Sequence, residues 1–123
     1  MFELNVEDEF AAAHYLRNYK GKCERMHGHN YRVMVAVKAK RLNKIGLVVD
    51  FGEIKTELKK VMEILDHKVL DELPAFRVVN PSAENIAKYV FDSLAKPLKK
   101  KKVQLVKVTV WETARASASY CHD

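Results

Sequence analysis

The residues best suited to chemistry are a thiol and two imidazoles that fall between Cys23 and His29. His27 and His29 are separated only by Gly28, and alternate side chains of an extended strand point to the same face. Two such imidazoles lie roughly 6.5 Å apart along the strand and can converge on one ion at Zn–N distances of about 2.0–2.1 Å. A loop can also contain such a pair by chance, so a metal site requires a third ligand.

His14 is the candidate for the third ligand. Alternation of apolar and polar residues from Phe2 predicts a first strand that reaches His14, and a second strand begins near His27. If these strands pair antiparallel around the loop between them, the three imidazoles meet at one end of the sheet. Three histidines with a fourth position open to water or substrate are typical of a catalytic zinc site.

Cys23 lies four residues before His27 and has Lys22 and Arg25 close by. Basic neighbours lower the pKa of a thiol and favour the thiolate, which suits a base or a nucleophile. The spacing also allows Cys23 to be a fourth zinc ligand or an inert thiol. The residues alone leave these three interpretations open.

Three further side chains carry chemistry that depends on their surroundings. Asp66 and His67 follow a predicted helix and are either a solvent-exposed pair at its end or, near a metal, an acid and a base. Glu112 interrupts a strand of Val, Thr and Trp residues. It is either a charge on an edge strand or the acceptor for a ligand with paired N–H donors.

The pattern of the whole chain predicts the order strand, strand, helix, helix, strand, strand. Asp50 caps a helix whose apolar stripe runs to Leu65, and a second helix starts at residues 80–82 and stops at Pro97. Lys99 to Lys102 then form a solvated turn or, alternatively, a site for a polyanion. We expect an α+β fold in which a four-stranded antiparallel sheet carries both helices on one face.

Composition limits the class of protein. A chain of 123 residues with 48% hydrophobic and 31% charged residues is expected to form one domain, residues 1–123. No apolar run reaches the ~20 residues of a membrane span, and the acidic start lacks the features of a signal peptide, so we expect a cytoplasmic protein. Cys23 and Cys121 form no disulfide framework. The net charge of +6 favours an anionic partner, either nucleic acid or a small phosphorylated substrate.

Several motifs occur in a fixed order along the chain: His14, Cys23-x3-His27-Gly-His29-Asn-Tyr31, Asp50-Phe51, Leu65-Asp66-His67, Asn80-Pro81-Ser82-x-Glu84-Asn85 and Glu112-Thr113. In that order they resemble the family of 6-pyruvoyltetrahydropterin and 6-carboxytetrahydropterin synthases almost end to end. The resemblance implies the tunnelling fold, in which such subunits form trimers and two trimers stack into a homohexamer. It also implies active sites between subunits.

The resemblance further implies a role for each candidate residue. His14, His27 and His29 would hold Zn²⁺, Cys23 would be the general base, and His67, oriented by Asp66, would complete the proton relay. Glu112 would accept hydrogen bonds from the pterin ring. Ser82 would contact the same ring, although Ser82-Ala83 stands where many relatives have threonines.

The spacing of Cys23 and His27 distinguishes branches of the family. Three intervening residues resemble the 6-carboxytetrahydropterin synthases of queuosine and archaeosine synthesis, whereas the pyruvoyl-forming enzymes typically have five. We therefore expect conversion of 7,8-dihydroneopterin triphosphate to 6-carboxy-5,6,7,8-tetrahydropterin, acetaldehyde and triphosphate, with no nucleic-acid or membrane partner. The alternatives are the pyruvoyl-forming synthase and, from another class, a non-enzymatic basic binding module with a structural zinc that includes Cys23.

Overall fold

The fold is built on two long strands, β1 (Phe2–His14) and β2 (His27–Ala39), which pair antiparallel along their whole length. The computed structural model describes all 123 residues. The other elements are α1 (Phe51–Leu65), β3 (Lys68–Val69), the 3₁₀ turns Leu70–Glu72 and Pro74–Phe76, α2 (Ala83–Lys100), β4 (Gln104–Thr113) and β5 (Ala116–Tyr120).

The strands form one sheet in the order β3-β1-β2-β4-β5. The pairings among β1, β2, β4 and β5 are antiparallel, as the sequence predicts. The predicted strand count of four was too low, because β3 adds a two-residue strand parallel to β1 at Ala12 and Ala13. Two residues are too few to show the alternation by which a strand is recognised in a sequence.

Both helices pack on the same face of the sheet. Alternate residues of β2, among them Val33, Val35 and Val37, are fully buried and join the buried stripes of α1 and α2 in one core cluster. The predicted α+β arrangement is therefore confirmed. None of the helices is long and apolar enough to cross a membrane.

The first helix begins as the sequence predicts. The Asp50 carboxylate accepts a hydrogen bond from the Gly52 amide at 2.7 Å and so caps α1. Glu53 stands three residues later, where a capping box would place it, but its carboxylate accepts a hydrogen bond from Lys101 Nζ at 3.3 Å instead. This contact joins the start of α1 to the end of α2.

The second helix is longer than the sequence predicts. It passes through Pro97 and ends at Lys100, so Lys99 and Lys100 belong to its last turn rather than to a solvated turn. An internal proline costs about 3 kcal/mol because it has no N–H for the helical hydrogen bond and its ring clashes with the carbonyl one turn earlier. Complete burial of Leu98 contributes about 1.5–3 kcal/mol in return, and lysines at a helix C-terminus are favoured by the helix dipole. The packing of Leu98 in the core therefore keeps α2 helical beyond Pro97.

Candidate active site

Pairing of β1 with β2 brings three imidazoles to one end of the sheet. His14 stands opposite His27, and His29 stands opposite Ala12. The three residues continue the alternation of core-facing residues such as Tyr31, so they share the face that carries the helices. The distances between ring centroids are 4.7 Å for His14 and His27, 5.2 Å for His14 and His29, and 4.8 Å for His27 and His29.

Backbone carbonyls fix two of these rings. His14 Nδ1 lies 2.7 Å from the Pro81 carbonyl oxygen, and His27 Nδ1 lies 2.8 Å from that of Arg25. A carbonyl oxygen only accepts, so each Nδ1 carries the proton and donates it, and the neutral form of each ring has its lone pair on Nε2. The two Nε2 atoms are 3.1 Å apart. A shared cation stabilises two lone pairs held so close together.

His29 supplies a third nitrogen. Its Nε2 atom is buried and has no hydrogen-bond partner, since its 3.0 Å contact with Glu112 Oε1 lacks hydrogen-bond geometry. Burial lowers the pKa of His29, and the nearby Glu112 carboxylate only partly opposes this effect. The ring is therefore neutral at neutral pH, which is the form that binds a metal. A buried nitrogen without a partner is costly unless an ion or a water satisfies it.

Glu112 completes a group of four possible ligands. Its Oε1 atom lies 3.0 Å from His14 Nε2 and 3.0 Å from His29 Nε2. The ligand atoms of His14, His27, His29 and Glu112 all lie within 4.8 Å of one another. Ligands at about 2.0–2.1 Å from a tetrahedral zinc are themselves about 3.3 Å apart. The spacing and the donor types therefore fit a metal ion.

The contact between Glu112 and the imidazoles was not foreseen from the sequence. Glu112 continues the alternation of Val108 and Val110, which face the core, and Val110 pairs with Val33 of β2. Two residues later in β4 and two residues earlier in β2, this antiparallel register brings Glu112 beside Tyr31 and next to His29. A sequence signal existed in the alternation, but the β2–β4 register was needed to interpret it.

Asp66 and His67 lie where α1 meets β1. The Asp66 carboxylate accepts a hydrogen bond from the Ala11 amide at 2.9 Å, and the His67 amide donates to the Ala11 carbonyl at 2.6 Å. The second carboxylate oxygen lies 2.8 Å from His67 Nδ1. The Ala11 amide and His67 together lower the pKa of Asp66, so the group is a carboxylate at neutral pH. The His67 side chain is 82% exposed.

A cleft of about 500 Å³ is lined by one residue from each of these two groups. It is lined by parts of β1, β2 and β3 and the residue before β3: Ala11, Ala12, Ala13, Gly28, His29, Asn30, His67, Lys68 and Val69. One histidine of the possible metal group and the histidine of the Asp–His pair therefore border the same cavity.

The structure does not bring every predicted residue into this group. Cys23 is exposed in the loop between β1 and β2 and is not one of the four possible ligands. Ser82 is half-buried and caps α2, because its hydroxyl oxygen accepts a hydrogen bond from the Asn85 amide at 3.2 Å. Lys22 and Arg25 are exposed in the same loop as Cys23.

Imidazoles and a carboxylate that can hold a metal, together with an Asp–His pair whose aspartate is ionised, are the parts of an acid–base enzyme assisted by a metal. Comparison with known proteins agrees with this class. The family model described as 6-pyruvoyl tetrahydropterin synthase matches residues 3–123. A solved structure of Caenorhabditis elegans 6-pyruvoyl tetrahydropterin synthase superposes with a TM-score of 0.87 at 30% identity, covering 99% of this chain and 96% of that one.

Curated relatives carry names from two branches. The Bacillus subtilis 6-carboxy-5,6,7,8-tetrahydropterin synthase is 35% identical over 98% of this chain and 83% of its own length. The human 6-pyruvoyl tetrahydrobiopterin synthase is 39% identical over 76% of this chain and 66% of its own length. The chain belongs to the 6-pyruvoyl tetrahydropterin synthase family, whose members are tetrahydropterin synthases of the lyase type, and its fold is the tunnelling fold.

Proposed function

We propose that this protein is a zinc-dependent synthase that converts 7,8-dihydroneopterin triphosphate to 6-carboxy-5,6,7,8-tetrahydropterin, acetaldehyde and triphosphate in the synthesis of 7-deazapurines such as queuosine. The grouping of three imidazoles, whose ligand atoms lie within 4.8 Å of one another, supports the metal dependence. The three residues between Cys23 and His27 support the carboxy product, because this spacing resembles the carboxy-forming branch.

His14, His27 and His29 would hold the ion. Imidazole nitrogens suit zinc, and a site with three protein ligands leaves a position for the substrate. When bound, Zn²⁺ would supply Lewis-acid chemistry that lowers the pKa of the hydroxyls on the substrate side chain. The carbonyls of Pro81 and Arg25 would keep His14 and His27 in the tautomer that directs Nε2 to the ion.

Cys23, His67 and Asp66 would handle protons. Cys23 is exposed and lies among basic residues, so its thiolate can take a proton as the general base. Asp66 fixes the proton of His67 on Nδ1, which leaves Nε2 as the atom that exchanges a proton with the substrate. The high exposure of His67 allows the ring to meet a substrate held largely by a neighbouring subunit.

Glu112 would recognise the pterin ring, and Ser82 would contact it. A carboxylate can accept two hydrogen bonds from the amino group and the adjacent ring N–H of a pterin. Because Glu112 lies next to the histidines, the pterin ring would be held so that the side chain of the substrate lies over the metal position. The basic side chains of Lys20, Lys22 and Arg25 would attract the triphosphate, in keeping with the net charge of +6.

The proposal includes one domain, residues 1–123, assembled into a homohexamer with active sites between subunits. The outer edge of β1 from residue 2 to residue 10 and the outer edge of β5 have no partner strand, and open edges of this kind favour pairing between subunits. A cytoplasmic location is also part of the proposal. The two free, exposed cysteines support it, because thiols remain reduced there.

Product identity and zinc content, measured on one preparation, test the proposal. The protein is incubated with 7,8-dihydroneopterin triphosphate, the pterin products are separated by chromatography, and acetaldehyde is assayed. One zinc per chain, a 6-carboxy product and an equal amount of acetaldehyde are expected. A 6-pyruvoyl product without acetaldehyde would support the sister synthase instead. No turnover, together with loss of zinc on Cys23→Ala substitution, would support a binding module with a structural zinc.

A further inference from the structure

The carbonyl that holds His14 belongs to Pro81, which is buried, but the residues that lead to it have little packing of their own. Pro81 precedes α2, and the residues before it, Arg77 to Val79, are all exposed, with Val78 96% exposed. Apolar contacts therefore cannot fix residues 77–79. Polar contacts to the end of β1 hold them instead.

Arg17 forms most of those contacts. Its guanidinium donates to the carbonyl oxygens of Phe76 at 2.6 Å, Arg77 at 3.1 Å and Val79 at 2.8 Å. Its Nε atom donates to Asn80 Oδ1 at 3.0 Å. One side chain thus binds four of the five residues from 76 to 80, and the segment curls around the planar guanidinium.

Asn80 also binds the backbone of Arg17. Its Oδ1 atom also accepts the Arg17 amide at 2.9 Å, and its Nδ2 atom donates to the Arg17 carbonyl at 2.9 Å. Asn85 in turn donates to the Asn80 carbonyl at 2.9 Å. The amide of Asn80 therefore binds both backbone groups of Arg17, which follows His14 by three residues, and Asn80 directly precedes Pro81.

We propose that Asn80 and Arg17 are positioning residues for the metal site, because their mutual hydrogen bonds fix the Pro81 carbonyl and thereby the tautomer and direction of His14. This inference rests on the proposed metal-binding role of His14. His27 differs, since its acceptor is the carbonyl of Arg25, two residues earlier in the loop that leads into β2. The hydrogen bonds between Asn80 and Arg17, which we call the clamp, should therefore orient His14 and leave the orientation of His27 unchanged.

Zinc affinity of the apoprotein, measured by competition with a chromogenic chelator, tests the clamp. Loss of a residue that orients a metal ligand typically lowers metal affinity about 10- to 100-fold, and we expect this loss for Asn80→Ala. Asn80→Asp keeps the oxygen that accepts from Arg17 and loses the donor, so its loss of affinity should be smaller. Asn43→Ala is the matched control, because Asn43 Oδ1 also accepts two backbone amides, each at 3.0 Å, in a loop outside the site.

A double-mutant cycle separates positioning from general loosening of the fold. Combined with His14→Ala, Asn80→Ala should lower zinc affinity no further, whereas combined with His27→Ala it should keep its effect. Equal effects in both backgrounds, or wild-type affinity for Asn80→Ala alone, would overturn the inference while leaving the proposed function intact. A wild-type protein that binds no zinc would overturn the proposed function and the inference with it.

Discussion

Replacing Glu112 by glutamine separates the two roles open to a carboxylate that lies 3.0 Å from two histidine nitrogens. If Glu112 recognises the pterin ring, its two oxygens accept two N–H groups. If it is a fourth metal ligand, the position needed by the substrate is closed. Glutamine has the same shape but offers one acceptor and one NH₂ group, which opposes a ring N–H.

The expected magnitude follows from one charge-assisted hydrogen bond. Such a bond contributes about 1.5–3 kcal/mol, so its loss should lower kcat/KM by about 10- to 150-fold. Zinc affinity should fall much less. A partly exposed carboxylate near a divalent ion contributes on the order of 1 kcal/mol after screening by solvent and salt, so neutralising it costs roughly tenfold in affinity at most.

Steady-state kinetics and chelator competition on the same protein provide the assay. Glu24→Gln is the matched control, since the Glu24 carboxylate lies 3.9 Å from His27 Nδ1 on the other side of the imidazoles. It should change zinc affinity as little as Glu112→Gln does and leave kcat/KM within about threefold of the wild-type value. A loss of zinc affinity beyond about 100-fold for Glu112→Gln alone would show that Glu112 is a ligand and would refute the reasoning.

Three further variants test the remaining parts of the site. Cys23→Ala should keep zinc at wild-type stoichiometry by metal analysis and lower kcat by about 10²–10⁴-fold, whereas loss of zinc would make Cys23 a ligand. Asp66→Asn keeps the acceptor for the Ala11 amide, so the circular dichroism spectrum should persist while kcat falls at least about 10²-fold; an unchanged kcat would remove the Asp–His pair from the reaction. Combined Lys22→Glu and Arg25→Glu substitutions should raise KM at low salt, and added salt should shrink the difference. A KM equal to that of the wild type at every salt concentration would exclude a phosphate role.

Elements with a strong periodic pattern were predictable. The β2 strand alternates from His27 to Val35, and α1 has both a cap at Asp50 and an apolar stripe, so local sequence and burial agree. The end of α2 was predicted wrongly, because the rule that proline stops a helix does not include the burial of Leu98. The β3 strand was missed because only its parallel pairing with β1, stabilised by the contacts of Asp66 and His67 with Ala11, makes it a strand.

The sequence by itself determined which side chains are available for chemistry and that β1 and β2 would gather three imidazoles at one end of a sheet. That conclusion needed only strand alternation and one antiparallel pairing between neighbouring segments. The resemblance between motifs then supplied the expected reaction.

Only the tertiary structure decided how the site is supported. The partners of His14 and Arg17 lie 67 and 63 positions away in sequence, and several of them are backbone carbonyls, which any residue provides. Glu112 reaches the histidines because the register between β2 and β4 brings it there. Contacts of this kind leave no local pattern, because they depend on where distant segments meet once the core has packed.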